Sequence, residues 1–161
     1  MPNWCDNSMR ISNQDKTKID ALEAVLQSDD KEIFKHLRPN PNADWQYDWS
    51  VENWGTKWDA AHGYINLESS KEHELGLDTA WSPPIPFYKK LEEMGFSVSA
   101  EYKEDGLEFI GEYADGVDEC YEYDFSNEDW RDELPEHIVE QLEYDYENWK
   151  EWQEQEEQEV E

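Results

Sequence analysis

This sequence has little that would staple, anchor or neutralise it. Only two of its 161 residues are cysteine, Cys5 and Cys120, and they form no Cys-x-x-Cys or zinc-type spacing. That excludes a disulfide-dense scaffold and a zinc ribbon, and a bridge between positions so far apart does not follow from sequence. Reduced thiols in a cytosol are expected. No run approaches the roughly 20 apolar residues of a membrane span. Met1-Pro2-Asn3-Trp4 opens no basic segment followed by an apolar one, so the expectation is a soluble protein with no membrane contact and no signal peptide. Cations are scarce as well: 13 Lys and Arg stand against 42 Asp and Glu, for a net charge of −29. Phosphate binding needs cations that displace counterions, so the balance argues against direct contact with nucleic acid and points instead to basic partners or to simple solubility.

Enzyme signatures are missing too. There is no Gly-rich phosphate loop, Gly-x-Ser-x-Gly elbow or His-Glu-x-x-His. Cys5 and Cys120 have no histidine or basic neighbour to activate a thiol. Asp59 and His62 make at best two ligands, too few for a metal, and His36, His73 and His137 are isolated, with solvation their ordinary fate. Asp115-Gly116-Val117-Asp118-Glu119 carries oxygen ligands without the EF-hand spacing. The expectation is no enzyme, no catalytic residue, no cofactor and no metal.

What is abundant is aromatic. Nine Trp, nine Tyr and five Phe argue for a folded body despite a mean hydropathy of −1.11. Trp45, Tyr47 and Trp49 lead into Asn53-Trp54-Gly55-Thr56-Lys57-Trp58-Asp59-Ala60, read as a loop held in one shape by Gly55. Its tryptophans serve either as core or as a contact surface.

Periodicity supplies the rest of the order. Asp6 to Ser12 alternates as a strand, with Trp4 as an anchor before it. Asn13 or Asp15 caps a helix carrying Ile19, Leu22, Val25 and Leu26, stopped by Ser28-Asp29-Asp30, and Lys31 to Leu37 adds a short helical stretch. Tyr64 to Glu68 and Glu74 to Thr79 read as strands, with Ile65 and Leu67 inward, joined by a hairpin through Ser69-Ser70-Lys71-Glu72. Trp81-Ser82-Pro83-Pro84-Ile85-Pro86 supplies a cap and first-turn prolines for a helix through Phe87, Tyr88, Leu91 and Met94, closed by Gly95. Strands over Phe96 to Tyr102, Leu107 to Tyr113 and an acidic, edge-like Val117 to Phe125 follow. The order β-α-β-β-α-β with extra strands predicts an α+β, ferredoxin-like antiparallel sheet with helices on one face.

Charge then concentrates at the end: from Glu101 onward there are 25 acids and 3 bases. Leu134, Ile138, Leu142, Tyr146, Trp149 and Trp152 recur at steps of three or four, predicting an amphipathic helix from Leu134 to about Gln155. The expected domains are 1–126, the ferredoxin-like body with its tryptophan-rich loop, and 127–161, an acidic helical extension. The stripe packs either on its own sheet or on a second copy, as a homodimer, and sequence does not choose.

Three motifs, Met1-Pro2-Asn3-Trp4-Cys5-Asp6-Asn7, Glu52 to Ala60, and Asp78-Thr79-Ala80-Trp81-Ser82-Pro83-Pro84-Ile85-Pro86, occur in an order that resembles the YubB-like ferredoxin-like family of plasmids and phages. The resemblance covers about residues 1 to 116 and implies a ferredoxin-like fold, a mobile-element origin and a place in the cytoplasm of a bacterial host cell. It implies no reaction.

Two functional expectations follow. The first is an inhibitor, a viral or plasmid protein, in which Glu136, Glu140, Glu143, Asp145, Glu147 and Glu151 imitate phosphates while Tyr144, Tyr146, Trp149 and Trp152 are the candidate aromatic anchors. Such a DNA mimic would occupy the groove of a basic nucleic-acid-binding host protein or complex, as an anti-CRISPR or anti-restriction factor. The alternative is a binding module whose pocket, made by Asn53, Trp54, Lys57, Trp58, Asp59 and Trp81 and helped by Asn7, takes a small molecule or peptide.

Overall fold

Alternation in Trp-Cys-Asp-Asn-Ser-Met-Arg-Ile-Ser places Cys5, Asn7, Met9 and Ile11 on one face of strand β1 (Trp4–Ser12), and all four are buried. The opposite face carries exposed Asp6, Ser8 and Arg10, so this sheet has a core side and a wet side from its first strand. In the computed structural model, residues 3–28, 32–42, 44–67 and 72–160 are described. Helices α1 (Lys16–Leu26), α2 (Ile33–Leu37) and α3 (Tyr47–Trp54) follow, then β2 (Ala61–Leu67), β3 (Glu72–Ala80), α4 (Ile85–Glu93), β4 (Ser97–Glu104), β5 (Phe109–Ala114), β6 (Val117–Glu122) and α5 (Glu136–Val160).

The six strands run β2-β3-β1-β4-β5-β6 across one sheet. β1 lies antiparallel between β3 and β4, with Met9 opposite Leu75 on one side and Ala100 on the other. This is the expected α+β, ferredoxin-like order, since the first four strands interleave as 2-3-1-4. Ile19 and Leu22 of α1, Ile33 and Phe34 of α2, Trp54 of α3, and Phe87, Tyr88 and Leu91 of α4 meet Met9, Ile11, Leu75, Leu77, Val98 and Ala100 in one core. Each fully buried aliphatic or aromatic side chain contributes roughly 1.5–3 kcal/mol against the entropy of ordering the chain.

Several polar groups buried in this unit are satisfied, whereas Ser50 Oγ, Asn13 Nδ2 and both ring nitrogens of His73 find no hydrogen-bond partner among the described residues. Asn7, fully buried, donates from Nδ2 to Cys5 O at 2.9 Å, Leu77 O at 3.0 Å and Thr79 Oγ1 at 2.9 Å, while Tyr88 OH donates to its Oδ1 at 2.7 Å. Asn7 is therefore a structural brace between strands and α4, and the ligand contact expected of it is corrected. Burial pushes the Cys5 thiol up to about 12, an inert group. Glu104, also buried, accepts Gly106 N and Leu107 N, each at 2.7 Å, and so ties the turn before β5. Gly111 faces Tyr102 across β4 and β5, where an added Cβ would stand 2.2 Å from the ring.

Several expected bounds move. Trp4 pairs with Ala80 inside β1 instead of preceding it. Asp15 caps α1, accepting Thr17 N at 3.0 Å, and Asn13 serves the turn before it. Trp45 to Ala60 is not one loop: Tyr47–Trp54 forms α3, because Gly55 at φ +86 supplies the left-handed stop and leaves only six residues for the loop. Ser82 does not cap α4, whose N-cap is Pro84; its hydroxyl donates to Gly55 O at 2.6 Å. His73 is buried at 2% exposure, not solvated. The expected hairpin at 69–71, the stop at Asp29-Asp30 and the side chains of residues 62–67, His62 included, lie outside the described residues.

Contacts divide the chain into two compact units, residues 1–120 and 121–161. The division falls earlier than the expected 126/127 because Tyr123 and Phe125 join the rings of the second unit, 4.7 Å apart, with Phe125 5.2 Å from Trp130. That unit is built on α5, whose Ile138 and Leu142 are fully buried. Among the described residues no helix is long and apolar enough to cross a membrane.

Candidate functional site

Two regions carry the residues singled out by sequence, one in each unit. In the first, Gly55 fixes the loop. A Cβ there would stand 2.6 Å from Pro86 Cδ and 3.0 Å from Pro84 Cα, so loop 55–60 lies directly on the segment after β3. Thr56 Oγ1 donates to Ala80 O at 3.0 Å, Thr79 Oγ1 to Ser82 O at 2.7 Å, and Trp81 N to Asn3 O at 3.0 Å. These bonds hold Trp81 at φ +71, a backbone conformation uncommon outside glycine.

The result is an exposed aromatic face. Trp4, Trp58 and Trp81 are each about two-fifths exposed, Trp4 and Trp58 lie 6.4 Å apart, and Lys57 Nζ sits 4.1 Å from the Trp58 ring and 5.8 Å from Trp81. Sequence left Trp4 out of this group; only the β1–β3 pairing brings it there. Behind the loop is a cavity of about 360 Å³, bounded by Trp45, Trp54, Trp58 and Pro39, with Asn40, Asn42 and Asp44 beside Glu32, Lys35 and Asp59.

The expected pocket is thus split. Trp54, Trp58 and Asp59 line the cavity, whereas Lys57 and Trp81 belong to the aromatic face and Asn53 bonds its own helix, Nδ2 donating to Trp49 O at 2.9 Å. Trp54 is mostly core, 6% exposed, with its indole N–H donated to Arg38 O at 2.9 Å. Asp59 Oδ1 accepts Phe34 N at 2.9 Å and Ala60 N at 2.8 Å, and Oδ2 accepts Lys35 N at 3.0 Å, so this carboxylate anchors the start of α2. Burial pushes its pKa up against the opposing pull of those three amides. Among the described residues no group of three His, Cys, Asp or Glu could hold a metal.

In the second unit 17 acids face two bases, Arg131 and Lys150. Both bases are engaged inside it. Arg131 binds Glu143 with two bonds, 2.6 and 2.8 Å, and lies 4.4 Å from the Trp130 ring and 4.7 Å from Tyr146. Lys150 reaches Glu147 at 3.2 Å and the Tyr146 ring at 5.1 Å. The Arg131 bonds hold the Glu143 carboxyl below its ordinary range.

α5 carries ten acids over 25 residues, roughly 38 Å of helix, a line charge near that of one B-DNA strand at about 3.4 Å per phosphate. Glu136, Glu140, Glu147 and Glu151 are exposed, and Asp145 is half-buried. Glu143 interrupts the row, since Arg131 holds it. Tyr146 and Trp149 are half-buried and pack on Phe125 at 5.4 and 6.1 Å, so they support the unit; the exposed rings of α5 are Tyr144 and Trp152.

No protein-family model matches this chain, and no curated protein matches it. Among solved structures it is similar to the protein api92 from Yersinia pseudotuberculosis, family model DUF1281, with 15% sequence identity and a TM-score of 0.39. That match covers 64% of this chain and 39% of the other, so the chain spans well under half of that protein's length.

Proposed function

We propose that this chain is a mobile-element protein of the YubB-like ferredoxin-like kind, working in the cytoplasm of a bacterial host as a non-enzymatic inhibitor. Its acidic unit would occupy the basic nucleic-acid groove of a host defence complex, a CRISPR-Cas effector or a restriction enzyme, as a mimic of the phosphate backbone. One observation carries this reading: exposed carboxylates run along a 25-residue helix while both cations of the unit are held internally. Such a surface repels nucleic acid and attracts the cations that grip it. The mimicking groups are Glu136, Glu140 and Glu151, together with Glu147, which also meets Lys150 at the surface, flanked by Tyr144 and Trp152 as apolar contacts.

The test is capture from nuclease-treated bacterial lysate at low and raised salt, with mass spectrometry of what is retained. A nucleic-acid-binding complex held at low salt, released at raised salt and displaced by DNA or RNA is the expected result, as is its loss when the four glutamates become glutamine. Retention of no such complex at either salt, or retention indifferent to those four changes, sinks the reading.

A further inference from the structure

The cavity behind the tryptophan loop combines indole walls with an excess of carboxylates, and we infer that it binds an organic cation of the alkylammonium or guanidinium class. The inference is independent of the acidic helix, since every lining residue belongs to the first unit.

Three features select that ligand class. First, the indole N–H groups of Trp45 and Trp54 are donated to backbone carbonyls, Lys57 O at 2.7 Å and Arg38 O at 2.9 Å. What these rings offer the cavity is therefore carbon and π surface rather than a donor. Aromatic walls of this kind attract cations through the ring quadrupole, most strongly where water is excluded. Second, Glu32, Asp44 and Asp59 outnumber Lys35 on the lining, and Lys35 is already bonded to Glu32 at 2.7 Å. An anionic ligand would meet that excess as repulsion. Third, about 360 Å³ lies at the small end of ligand sites, which span roughly 300–1,000 Å³, and suits a compact cation or one side chain.

Rigidity favours the assignment. Trp54 is held in the core and Asp59 is fixed by three backbone amides, so two of the walls are placed before any ligand arrives. Trp45, 56% exposed, and exposed Asp44 stand where the cavity opens. Their substitution weakens recognition without opening the core.

The experiment is an NMR titration of the full chain with choline, with its uncharged isostere 3,3-dimethylbutanol, and with N-acetyl-arginine amide, following the indole N–H signals. The expected result is saturable movement of the Trp45 and Trp54 signals by the cations, with the isostere binding at least about fivefold more weakly. Asp44→Asn should weaken the cations about three- to fivefold and leave the isostere unchanged. Tighter binding of the arginine derivative than of choline assigns the site to a partner's side chain, and the reverse order assigns it to a free quaternary amine. Equal binding of choline and isostere overturns the cation assignment while leaving a pocket. Cation-induced shifts that never saturate, or that spread along α5 instead, overturn the site itself.

Discussion

The two units are held by different physics. Residues 1–120 hold an aliphatic and aromatic core between a sheet and four helices, with buried polar groups such as Asn7 and Glu104 matched to partners. In residues 121–161, aromatic rings stack around Arg131: Phe125, Trp130 and Tyr146 lie within 5.4 Å of one another, and Trp149 stacks on Tyr146 at 6.0 Å. The first unit sets 11 bases against 25 acids, whereas in the second 17 acids share two. The first unit resists change through packing; the second keeps rings together against its own charge. That difference teaches that the second unit folds against its own electrostatics, since self-repulsion of this size opposes compaction.

The comparison breaks most sharply at Gly55. Gly55→Ala puts a methyl group 2.6 Å from Pro86 in a left-handed conformation, and should cost the first unit about 2–4 kcal/mol in urea unfolding. A loss under about 0.5 kcal/mol would mean that the loop and the segment after β3 are not in contact.

A smaller effect separates the units by pH. Arg131 holds the Glu143 carboxyl below its ordinary 4.5, so this pair stabilises fully above that value and loses its contribution as pH falls through the depressed pKa. Low pH also relieves carboxylate repulsion, so the readout is the difference in α5 helicity between wild type and Arg131→Leu. That difference should be constant near neutrality and shrink in acid; a difference that grows in acid would remove Arg131 from the account.

The smallest effect lies on the wet face of the sheet. Asp6 and Asp78 are cross-strand partners, and the Asp6 pKa is raised first by burial and then by Asp78. Because the folded state resists ionising Asp6, the penalty is present at neutral pH and disappears as pH falls through the raised pKa. Asp78→Asn should therefore stabilise by a few tenths of a kcal/mol at pH 7 and by nothing in strong acid, as read by thermal melts. Equal stabilisation at both pH values would point to a cause other than charge.

Much of the architecture was legible in the chain because period-two and period-3.6 patterns report which residues one face must bury. Met9 and Ile11, Ile19 and Leu22, and Phe87, Tyr88 and Leu91 declared their faces, and Ile138 and Leu142 declared the last helix. α3 was hidden, since Trp49, Ser50 and Trp54 make a weak stripe in a polar eight-residue segment, and Gly55 reads equally as a loop residue and a helix stop. His73 looked solvated because the expected strand began at Glu74; β3 starts at Glu72, which puts His73 on the buried face beside Leu75 and Leu77.

The candidate sites divide the same way. Sequence alone determined that the protein is acidic, aromatic-rich, α+β in order, and closed by a carboxylate-bearing helix, because composition and periodicity are properties of neighbours along the chain. Tertiary structure decided which aromatics remain available. It buried Trp54, drew Tyr146 and Trp149 into a ring cluster, gave Glu143 to Arg131 and Asp59 to the start of α2, and brought Trp4 beside Trp58. Those outcomes depend on partners far apart in sequence, and hydrogen-bond partners and ring contacts at such separations leave no periodic trace.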